Sequence, residues 1–246
     1  MAQIHFTLQG KGGVGKSYIS ALLAQHYLSR GITPHCFDTD PVNQTFGGYA
    51  AFRTNVVLLG EQAGEINPRN FDVLMKALLV LPDDAVAVVD NGAATFLPLV
   101  SYMIEADIIE ILEDAGHTVF LHTVLTGGQA LNDTAQGLVN LAKAIPNGAI
   151  VVWLNEYFGQ ILIESDKGSL TFEQSPFFAR FKARIAAIIQ LPAVPPQTTG
   201  EDIKRMTSAR LTFAEASTSE AFGIVERSRL RKVWGQINGR ISAANF

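Results

Sequence analysis

The sequence of 246 residues contains little cysteine, little charge and no long apolar run. Cys36 is the only cysteine, which excludes an intrachain disulfide and a metal site built from several thiolates. No stretch of about eighteen apolar residues is present, so we expect no segment that spans a membrane. The first residues also lack the basic and apolar regions of a signal peptide. Together these absences predict a cytoplasmic protein.

Several enzyme classes find no support in the sequence. The five histidines show none of the spacings typical of metal sites; they are His5, His26, His35, His117 and His122. No G-x-S-x-G motif is present, and Cys36 lies in an apolar segment, which favours an inert core thiol over a nucleophile. We expect His122, also in an apolar segment, to be a hydrogen-bonded core residue.

The composition is that of a folded, mildly acidic protein. Apolar residues make up 48% of the chain, which excludes a disordered protein. The 19 basic and 23 acidic residues leave a net charge of −4, which argues against a protein coated by nucleic acid but leaves a local basic patch open. No repeat or interdomain linker is found. We therefore expect a single domain over residues 1–246.

Short apolar segments alternate with amphipathic segments along the chain. The predicted strands are 4–9, 35–38, 86–90, 118–123, 149–155 and 184–191, and the predicted helices are 16–29, 70–79, 129–145 and 219–241. This alternation predicts an α/β fold, a single doubly wound, mostly parallel sheet with helices on both faces. Residues 160–169 are expected to form a surface excursion. Residues 192–200 are expected to form a loop, because their three prolines cannot donate to a strand.

Residues 10–17 match the phosphate-loop pattern, and we call them the phosphate loop. Glycines allow backbone N–H groups to surround a β-phosphate, and the helix that follows adds its positive end. Lys16 is expected to bridge the β- and γ-phosphates, and Ser17 to place its hydroxyl on Mg²⁺. The predicted nucleotide-binding residues here are Gly10, Lys11, Gly12, Gly13, Val14, Gly15, Lys16, Ser17 and Tyr18. An ordinary glycine-rich turn is the alternative.

Three aspartates follow predicted strands and are candidates for the magnesium site. Asp90 ends an almost wholly apolar strand, and Asp38 and Asp40 end the strand after the first helix. Carboxyl ends of parallel strands meet at the crevice where such sheets bind ligands. Oxygen atoms are the ligands that Mg²⁺ prefers. The alternative is that these side chains cap helices or turns.

Lys11 turns the phosphate loop into the deviant Walker A sequence K-G-G-V-G-K-S, which resembles the ParA/MinD group of P-loop ATPases. Residues 38–41, Asp-Thr-Asp-Pro, resemble the D-x-D-P element of that group. The resemblance implies a homodimer around ATP, in which Lys11 reaches phosphates bound by the second copy. It also implies that Asp40 orients the attacking water and that Asp38 supports Mg²⁺ without touching it. A solvated loop lysine is the alternative for Lys11.

A closer resemblance covers nearly the whole chain. Residues 4–17, 38–43, 90–93, 122–124, 126–131, 151–155 and 210–213 look like TraL-type proteins of plasmid conjugative-transfer regions. The resemblance implies partners within the transfer machinery. Two features depart from ParA relatives: Asn-Gly-Ala follows Asp90 instead of a turn with proline, and Tyr18 stands where a second threonine is usual.

The segment after the strand 149–155 bears on the choice of base. A guanine site usually carries N-K-x-D or T-K-x-D, whereas residues 155–158 read Asn-Glu-Tyr-Phe. This favours ATP over GTP. By resemblance, Asn155 bonds the edge of the adenine, and backbone at Leu191 and Pro192 contacts the ring. The alternative for Asn155 is an amide that caps a turn.

The C-terminal residues 219–246 are predicted to form an amphipathic helix. Its apolar positions are Leu230, Val233, Trp234, Ile237 and Ile241, and its basic positions are Arg227, Arg229, Arg231, Lys232 and Arg240. Such a helix can lie on an anionic membrane, which would place the protein at the inner membrane. It can also pack on the domain with its arginines in solvent, which we favour, or contact DNA or a protein.

These observations favour an ATPase with Mg²⁺ as its metal and ATP or ADP as its nucleotide, acting as a dimer switch in conjugative transfer. Lys11, Lys16 and Asp40 are the predicted catalytic residues. A nucleotide-gated scaffold with negligible hydrolysis, which binds transfer-machinery proteins, is the alternative. A small-molecule kinase has weaker support, because no lid or acceptor-site motif is found.

Overall fold

The computed structural model describes residues 1–62, 65–165 and 168–246, with Ser165 described by its backbone alone. In chain order its main elements are β1 (Gln3–Thr7), α1 (Lys16–Ser29), β2 (His35–Asp38), β3 (Asn55–Val56), α2 (Phe71–Leu79), β4 (Val86–Asp90), α3 (Phe96–Glu105), α4 (Ile108–Asp114), β5 (Thr118–Thr126), α5 (Leu131–Ala144), β6 (Ala149–Asn155), β7 (Ile163–Ser165), β8 (Gly168–Leu170), α6 (Pro176–Phe181), β9 (Ile185–Gln190), α7 (Glu201–Ser208), α8 (Phe213–Thr218) and α9 (Ile224–Ala243).

The main sheet has seven strands in the order β3-β2-β4-β1-β5-β6-β9. Every pair in it is parallel, and Asp90 at the end of β4 stands beside both Thr7 of β1 and Asp38 of β2. The prediction of a doubly wound parallel sheet is therefore confirmed. From the central strand β1 the chain first builds one half of the sheet and then the other, which opens a crevice at the carboxyl ends of the strands.

Helices cover both faces of the sheet. Helix α1 packs with α9 on one face, where Leu22, Leu23, Leu230 and Ile237 belong to one buried cluster. Helices α2, α3 and α4 pack on the other face. The two clusters draw alternate residues from β4, which is buried along its whole length as predicted.

Several boundaries differ from the predicted ones. The last helix begins at Ile224 rather than at residue 219, because Phe222 is buried in the core and Gly223 is extended (φ −69°, ψ 169°). The N–H of Gly223 donates to the Glu226 carboxylate and so begins the helix. The predicted loop at 192–200 ends in a helical turn over Pro196–Gly200. Strand β3 and helices α3, α4, α6, α7 and α8 were not predicted.

The excursion predicted at 160–169 contains the antiparallel hairpin β7–β8, and residues 166 and 167 lie outside the described residues.

Helix α9 is held on the fold by both its apolar and its basic side chains. Leu230, Val233, Ile237 and Ile241 are buried. Arg229 forms an ion pair with Asp202 at 2.6 Å, Arg227 donates to the carbonyl of Ser219 at 2.7 Å, and Arg240 donates to the carbonyl of Gln190. The expectation that the last helix packs on the domain is confirmed, whereas the expectation that its arginines lie in solvent is wrong for Arg227 and Arg229, which are partly buried by these contacts. The apolar stripe that a membrane-bound helix would insert is already used by the core.

In the described part of the chain, no helix combines the length and apolar character that crossing a bilayer requires.

A continuous chain of hydrogen bonds crosses the core beneath α1. Trp153 Nε1 can only donate, so Nδ1 of His122 accepts and its Nε2–H donates to His5 Nδ1. His5 then donates to the Tyr27 hydroxyl, which donates to Gln3. Burial lowers the pKa of His5 to about 3 and lowers the pKa of His122 well below its ordinary value. Both imidazoles are therefore neutral. The prediction that His122 is a hydrogen-bonded core residue is confirmed.

Candidate functional site

The phosphate loop joins β1 to α1 at the centre of the crevice. Gly13 and Gly15 have positive φ angles of 74° and 104°, which side chains other than glycine rarely adopt. Val14 between them is buried and anchors the loop in the core. Residues 12–17 line a cavity of about 560 Å³, whereas Gly10 and Lys11 do not line it.

The residue before the loop fixes its position against the sheet. Gln9 is buried, and its side-chain amide donates to the carbonyls of Val124 at 3.0 Å and Thr134 at 3.1 Å. Its side-chain oxygen accepts from the N–H of Lys11 at 3.4 Å. The loop is thereby tied to β5 and α5 before any ligand binds.

Lys16 is the first residue of α1 and the most buried cation of the cavity. Its ammonium donates to the carbonyl of Lys11 at 2.9 Å across the loop. Burial lowers the pKa of Lys16, and the carboxylates of Asp90 and Asp40 oppose that shift. The arrangement places a partly desolvated ammonium beside the N–H groups of the loop, which is a setting that favours an anion.

Asp90 lies behind the cavity, with 1% of its surface exposed. The hydroxyl of Ser20 donates to its carboxylate at 2.9 Å. Burial, together with the nearby charge of Asp38, raises the pKa of Asp90 to about 7, and the Ser17 and Ser20 hydroxyls and Lys16 oppose the rise. A bound cation would favour the ionised form of this carboxyl group, because it would offset the cost of burying the charge.

The donor set fits Mg²⁺ bound together with phosphates. Across the described residues, no group of three or more acidic, cysteine or histidine side chains forms a protein-only metal site. Mg²⁺ retains waters and commonly takes one or two protein oxygens plus phosphate oxygens. Ser17 on the cavity and Asp90 behind it can supply that part of its environment.

Asp38 organises the loop after β2. Its two oxygens accept the N–H groups of Asp40 at 2.9 Å and Gly47 at 2.8 Å. Burial raises the pKa of Asp38, and these N–H groups partly offset the rise. Its carboxylate is thus used by the protein backbone. These bonds agree with the prediction that Asp38 supports Mg²⁺ without touching it. They agree equally with the alternative that its side chain caps a turn.

Asp40 lines the same cavity as the phosphate loop. One of its oxygens, Oδ1, accepts the N–H groups of Val42 and Asn43, both at 2.9 Å. A Cβ at Gly92 would lie 2.7 Å from the Asp40 carboxyl carbon. The glycine in the unusual Asn-Gly-Ala segment therefore makes room for the carboxylate.

Asn91 joins three elements at the edge of the sheet. It is buried, and its side-chain oxygen accepts the hydroxyls of Thr39 at 2.9 Å and Thr95 at 2.7 Å. The N–H of Thr39 also donates to the carbonyl of Asp90 at 3.0 Å. These bonds connect the ends of β2 and β4 to the start of α3, and so fix the distance between Asp40 and Asp90.

Lys11 points away from the cavity of its own chain. Its ammonium lies 2.7 Å from the Asp133 carboxylate at the start of α5, and both side chains are largely exposed, at 44% and 57%. Exposed pairs of this kind contribute about 0–1 kcal/mol. The pair can therefore open at little cost, and Lys11 is not placed on phosphates bound by its own loop.

A smaller cavity of about 160 Å³ adjoins the first and is lined by Tyr18, Asn155, Tyr157, Leu191 and Pro192 together with Val233 and Ile237. The amide of Asn155 donates to the carbonyl of Val14 at 3.0 Å, and its oxygen accepts the N–H of Tyr157 at 3.2 Å. The capping alternative for Asn155 is thus observed, while its contact with adenine stays a prediction. The structure does bring Asn155, Leu191 and Pro192 together.

The larger cavity has a second wall formed by the end of α7. We call it the far wall, and its residues are Lys204, Thr207, Ser208 and Arg210.

Comparison with known proteins identifies the family. No protein-family model matches the chain. The protein TraL of Escherichia coli is 46% identical over 246 residues, with 99% of each chain covered, and a second Escherichia coli protein of that name is 45% identical over the same length and share. The chain belongs to the TraL family.

Among solved structures, the septum site-determining protein MinD of Pyrococcus horikoshii in complex with Mg-ADP superposes with a TM-score of 0.52. The two chains are 17% identical, and 99% of each is covered. This likeness shows that the TraL-family chain has the MinD-type P-loop fold.

In this TraL-family chain, the sequence analysis did not predict several residues that hold the loops around the cavity in place or line it. Gln9, Asn91 and Arg210 fall within stretches that resemble TraL-type proteins, but no motif assigns a role to them or to Thr95. The carbonyls to which Gln9 donates, and the Thr39 hydroxyl that donates to Asn91, lie far away in the sequence. One indication was available: buried polar residues that flank a phosphate loop or end a parallel strand must find hydrogen-bond partners.

Proposed function

We propose that this chain binds Mg·ATP on the phosphate loop, dimerises around it and hydrolyses it, acting as a nucleotide-dependent switch in plasmid conjugative transfer. The observation that carries the proposal is one cavity lined both by residues 12–17 and by Asp40. Membership of the TraL family supports the conjugative context, and the MinD relative that carries Mg-ADP supports the ligand. The chain acts as a single domain over residues 1–246.

The phosphates are held by charge and by backbone N–H groups. The ammonium of Lys16 contacts the β- and γ-phosphate oxygens, and the N–H groups of residues 12–17 surround the β-phosphate. Ser17 and Asp90 would hold Mg²⁺, which supplies positive charge to the phosphates when it is bound. Transfer of a phosphoryl group depends on positioning and electrostatics, so these residues suffice for the chemistry.

Asp40 is suited to position water. Two backbone N–H groups hold its Oδ1, and in the described structure no donor contacts Oδ2. That oxygen is thus available to accept a proton of a water at the open end of the γ-phosphate. Lys11, after leaving Asp133, adds charge to the phosphates held by a second copy of the chain.

Asp40→Asn and Asp40→Ala are expected to bind ATP almost as the wild type does and to release phosphate about 100-fold more slowly. Asp40→Asn loses only the carboxylate that positions water, a contribution typical of general-base residues, whereas Asp40→Ala also loses the acceptor of two backbone N–H groups. Asp40→Asn keeps an oxygen for the N–H groups of Val42 and Asn43. Phosphate release is measured with and without plasmid DNA and anionic vesicles, and the exposed Asp114→Asn serves as control. Unchanged turnover in Asp40→Asn would remove the role of this carboxylate.

The ion pair between Lys11 and Asp133 favours one alternative, a nucleotide-gated scaffold that binds transfer-machinery proteins with negligible hydrolysis. In that case Lys11 stays on Asp133, and nucleotide binding alone changes the surface offered to a partner. Wild-type protein that binds Mg·ATP but releases no phosphate under any of the conditions above would establish the scaffold.

ATP is expected to bind at least about tenfold more tightly than GTP. The segment after Asn155 lacks the lysine and aspartate of N-K-x-D, and the smaller cavity is lined mainly by apolar side chains. Glu156 also lines this cavity, but its two oxygens already accept the N–H of Ile161 and the side-chain amide of Gln190. Competition against a fluorescent ATP analogue measures the ratio. Equal displacement by the two nucleotides would leave Asn155 as a capping residue alone.

A further inference from the structure

Arg210 is a cation of the far wall to which sequence analysis assigned no role. The cavity lined by the phosphate loop is also lined by Arg210, together with Asn43, Thr45 and Tyr49. A ligand that fills this cavity therefore meets both Lys16 and Arg210.

The backbone of Arg210 has the left-handed conformation that glycine adopts more readily than any other residue. Its φ angle is 54°, and it is the residue at which the chain leaves α7. The N–H of Arg210 donates to the carbonyl of Thr207 at 3.1 Å, and the N–H of Leu211 donates to that of Met206 at 3.0 Å. This pair of bonds is the Schellman motif, in which glycine is the usual residue. An arginine there carries backbone strain that glycine would avoid, and such strain concentrates at functional sites.

The side chain of Arg210 is accommodated but carries no ionic partner. The aliphatic part of the Arg210 side chain lies against Gly48. A Cβ added at Gly48 would lie 3.1 Å from Nε of Arg210 and 3.3 Å from its Cγ and Cδ, so a residue with a side chain would crowd the arginine. Its Nη1 donates to the carbonyl of Thr207 at 3.0 Å. No carboxylate of the described residues lies within ion-pair distance of its guanidinium, whereas Lys204 lies 3.7 Å from Glu201.

The segment after Arg210 is firmly held. Thr212 caps α8, with Glu215 completing the capping box. The N–H of Phe213 donates to the side chain of Gln25 at 2.7 Å, and the Phe213 ring stacks on Trp234 with centroids 5.3 Å apart. The guanidinium is thus presented by a rigid support, which reduces the entropy lost when it binds a ligand.

We propose that Arg210 is a further phosphate-binding residue, which donates from its guanidinium to phosphate oxygens of the nucleotide held on the phosphate loop. The inference rests on the proposed function. A guanidinium with unused donors and no carboxylate is suited to phosphate, whose oxygens match its planar fork. The strained backbone at this position is then maintained for the side chain.

The test compares Arg210→Gly with Arg53→Gly. Arg53 also has a positive φ, 48°, but it is exposed and lies away from the cavity. Both variants are expected to unfold at higher urea concentration than the wild type, because glycine relieves strain. Only Arg210→Gly is expected to weaken the binding of Mg·ATP, by about tenfold or more. Inorganic tripolyphosphate, titrated in parallel, is expected to lose affinity by a similar factor.

Wild-type affinity of Arg210→Gly for both ligands would overturn the inference and leave Arg210 as a structural residue. Weaker binding of ATP with unchanged binding of tripolyphosphate would also overturn it, by placing the contact on the nucleoside. Wild-type protein that binds neither ligand would contradict the proposed function itself. Arg210→Gln, which keeps most of the stem but removes the charge, repeats the test if the glycine variant does not fold.

Discussion

Lys16→Ala is expected to lower the affinity for Mg·ATP by about 100-fold, equivalent to ~2.7 kcal/mol. The substitution removes the buried ammonium that faces the phosphates, and a hydrogen bond to a charged group contributes about 1.5–3 kcal/mol. The N–H groups of the phosphate loop remain but carry only partial charge. Isothermal titration calorimetry measures the change.

Lys143→Ala is the matched control, because Lys143 is exposed near the end of α5 and lies away from the cavity. It is expected to bind as the wild type does. Near wild-type affinity in Lys16→Ala, with its fold intact by circular dichroism, would contradict the assignment of residues 10–17 as a phosphate loop.

Removal of α9 by truncation after Gly223 is expected to leave a chain that does not fold. Leu230, Val233, Ile237 and Ile241 are each at most 5% exposed. Burial of such side chains contributes roughly 1.5–3 kcal/mol each, and their sum rivals the net stability of a domain at about 5–15 kcal/mol. The truncation also leaves the buried Asp202 without Arg229. Yield of soluble protein and urea unfolding test this.

Single substitutions separate packing from membrane binding. Ile237→Ala is expected to cost about 2–5 kcal/mol because it leaves a cavity in the core. Ile224→Ala, at an 82% exposed position of the same helix, is expected to change stability by no more than about 0.5 kcal/mol. If Ile237→Ala kept full stability but abolished flotation with anionic vesicles, α9 would be a membrane helix instead.

The sequence predicted the buried strands and the helix after the phosphate loop, but it did not predict the short edge strand β3 or helix α3. The bounds of β2, β4, β6 and α1 match the predictions, because buried parallel strands and the helix after a phosphate loop have strong patterns. Strand β3 consists of two exposed residues, Asn55 and Val56, and carries no pattern. Helix α3 begins at Phe96, is almost wholly apolar and carries Pro98 in its first turn, so its sequence shows neither helical periodicity nor a clear start.

At the candidate site, too, the residues of strong motifs were predicted and residues outside them were not. Residues 12–17 and Asp40 line one cavity, as the motif predicts. Trp234 was predicted as a buried anchor of the last helix, but it is only partly buried and stacks on Phe213. Arg210 lies in a stretch that resembles TraL-type proteins, but no local rule assigns it a role, because backbone preference favours glycine at that position.

A crystal structure with Mg²⁺ and a non-hydrolysable ATP analogue tests the central claim most directly. We expect the triphosphate on residues 10–17, the metal beside Ser17, the base in the cavity lined by Leu191 and Pro192, and Lys11 moved from Asp133 to the phosphates of a second copy. A phosphate loop that stays empty at millimolar analogue, or a nucleotide bound elsewhere on the chain, would contradict the account.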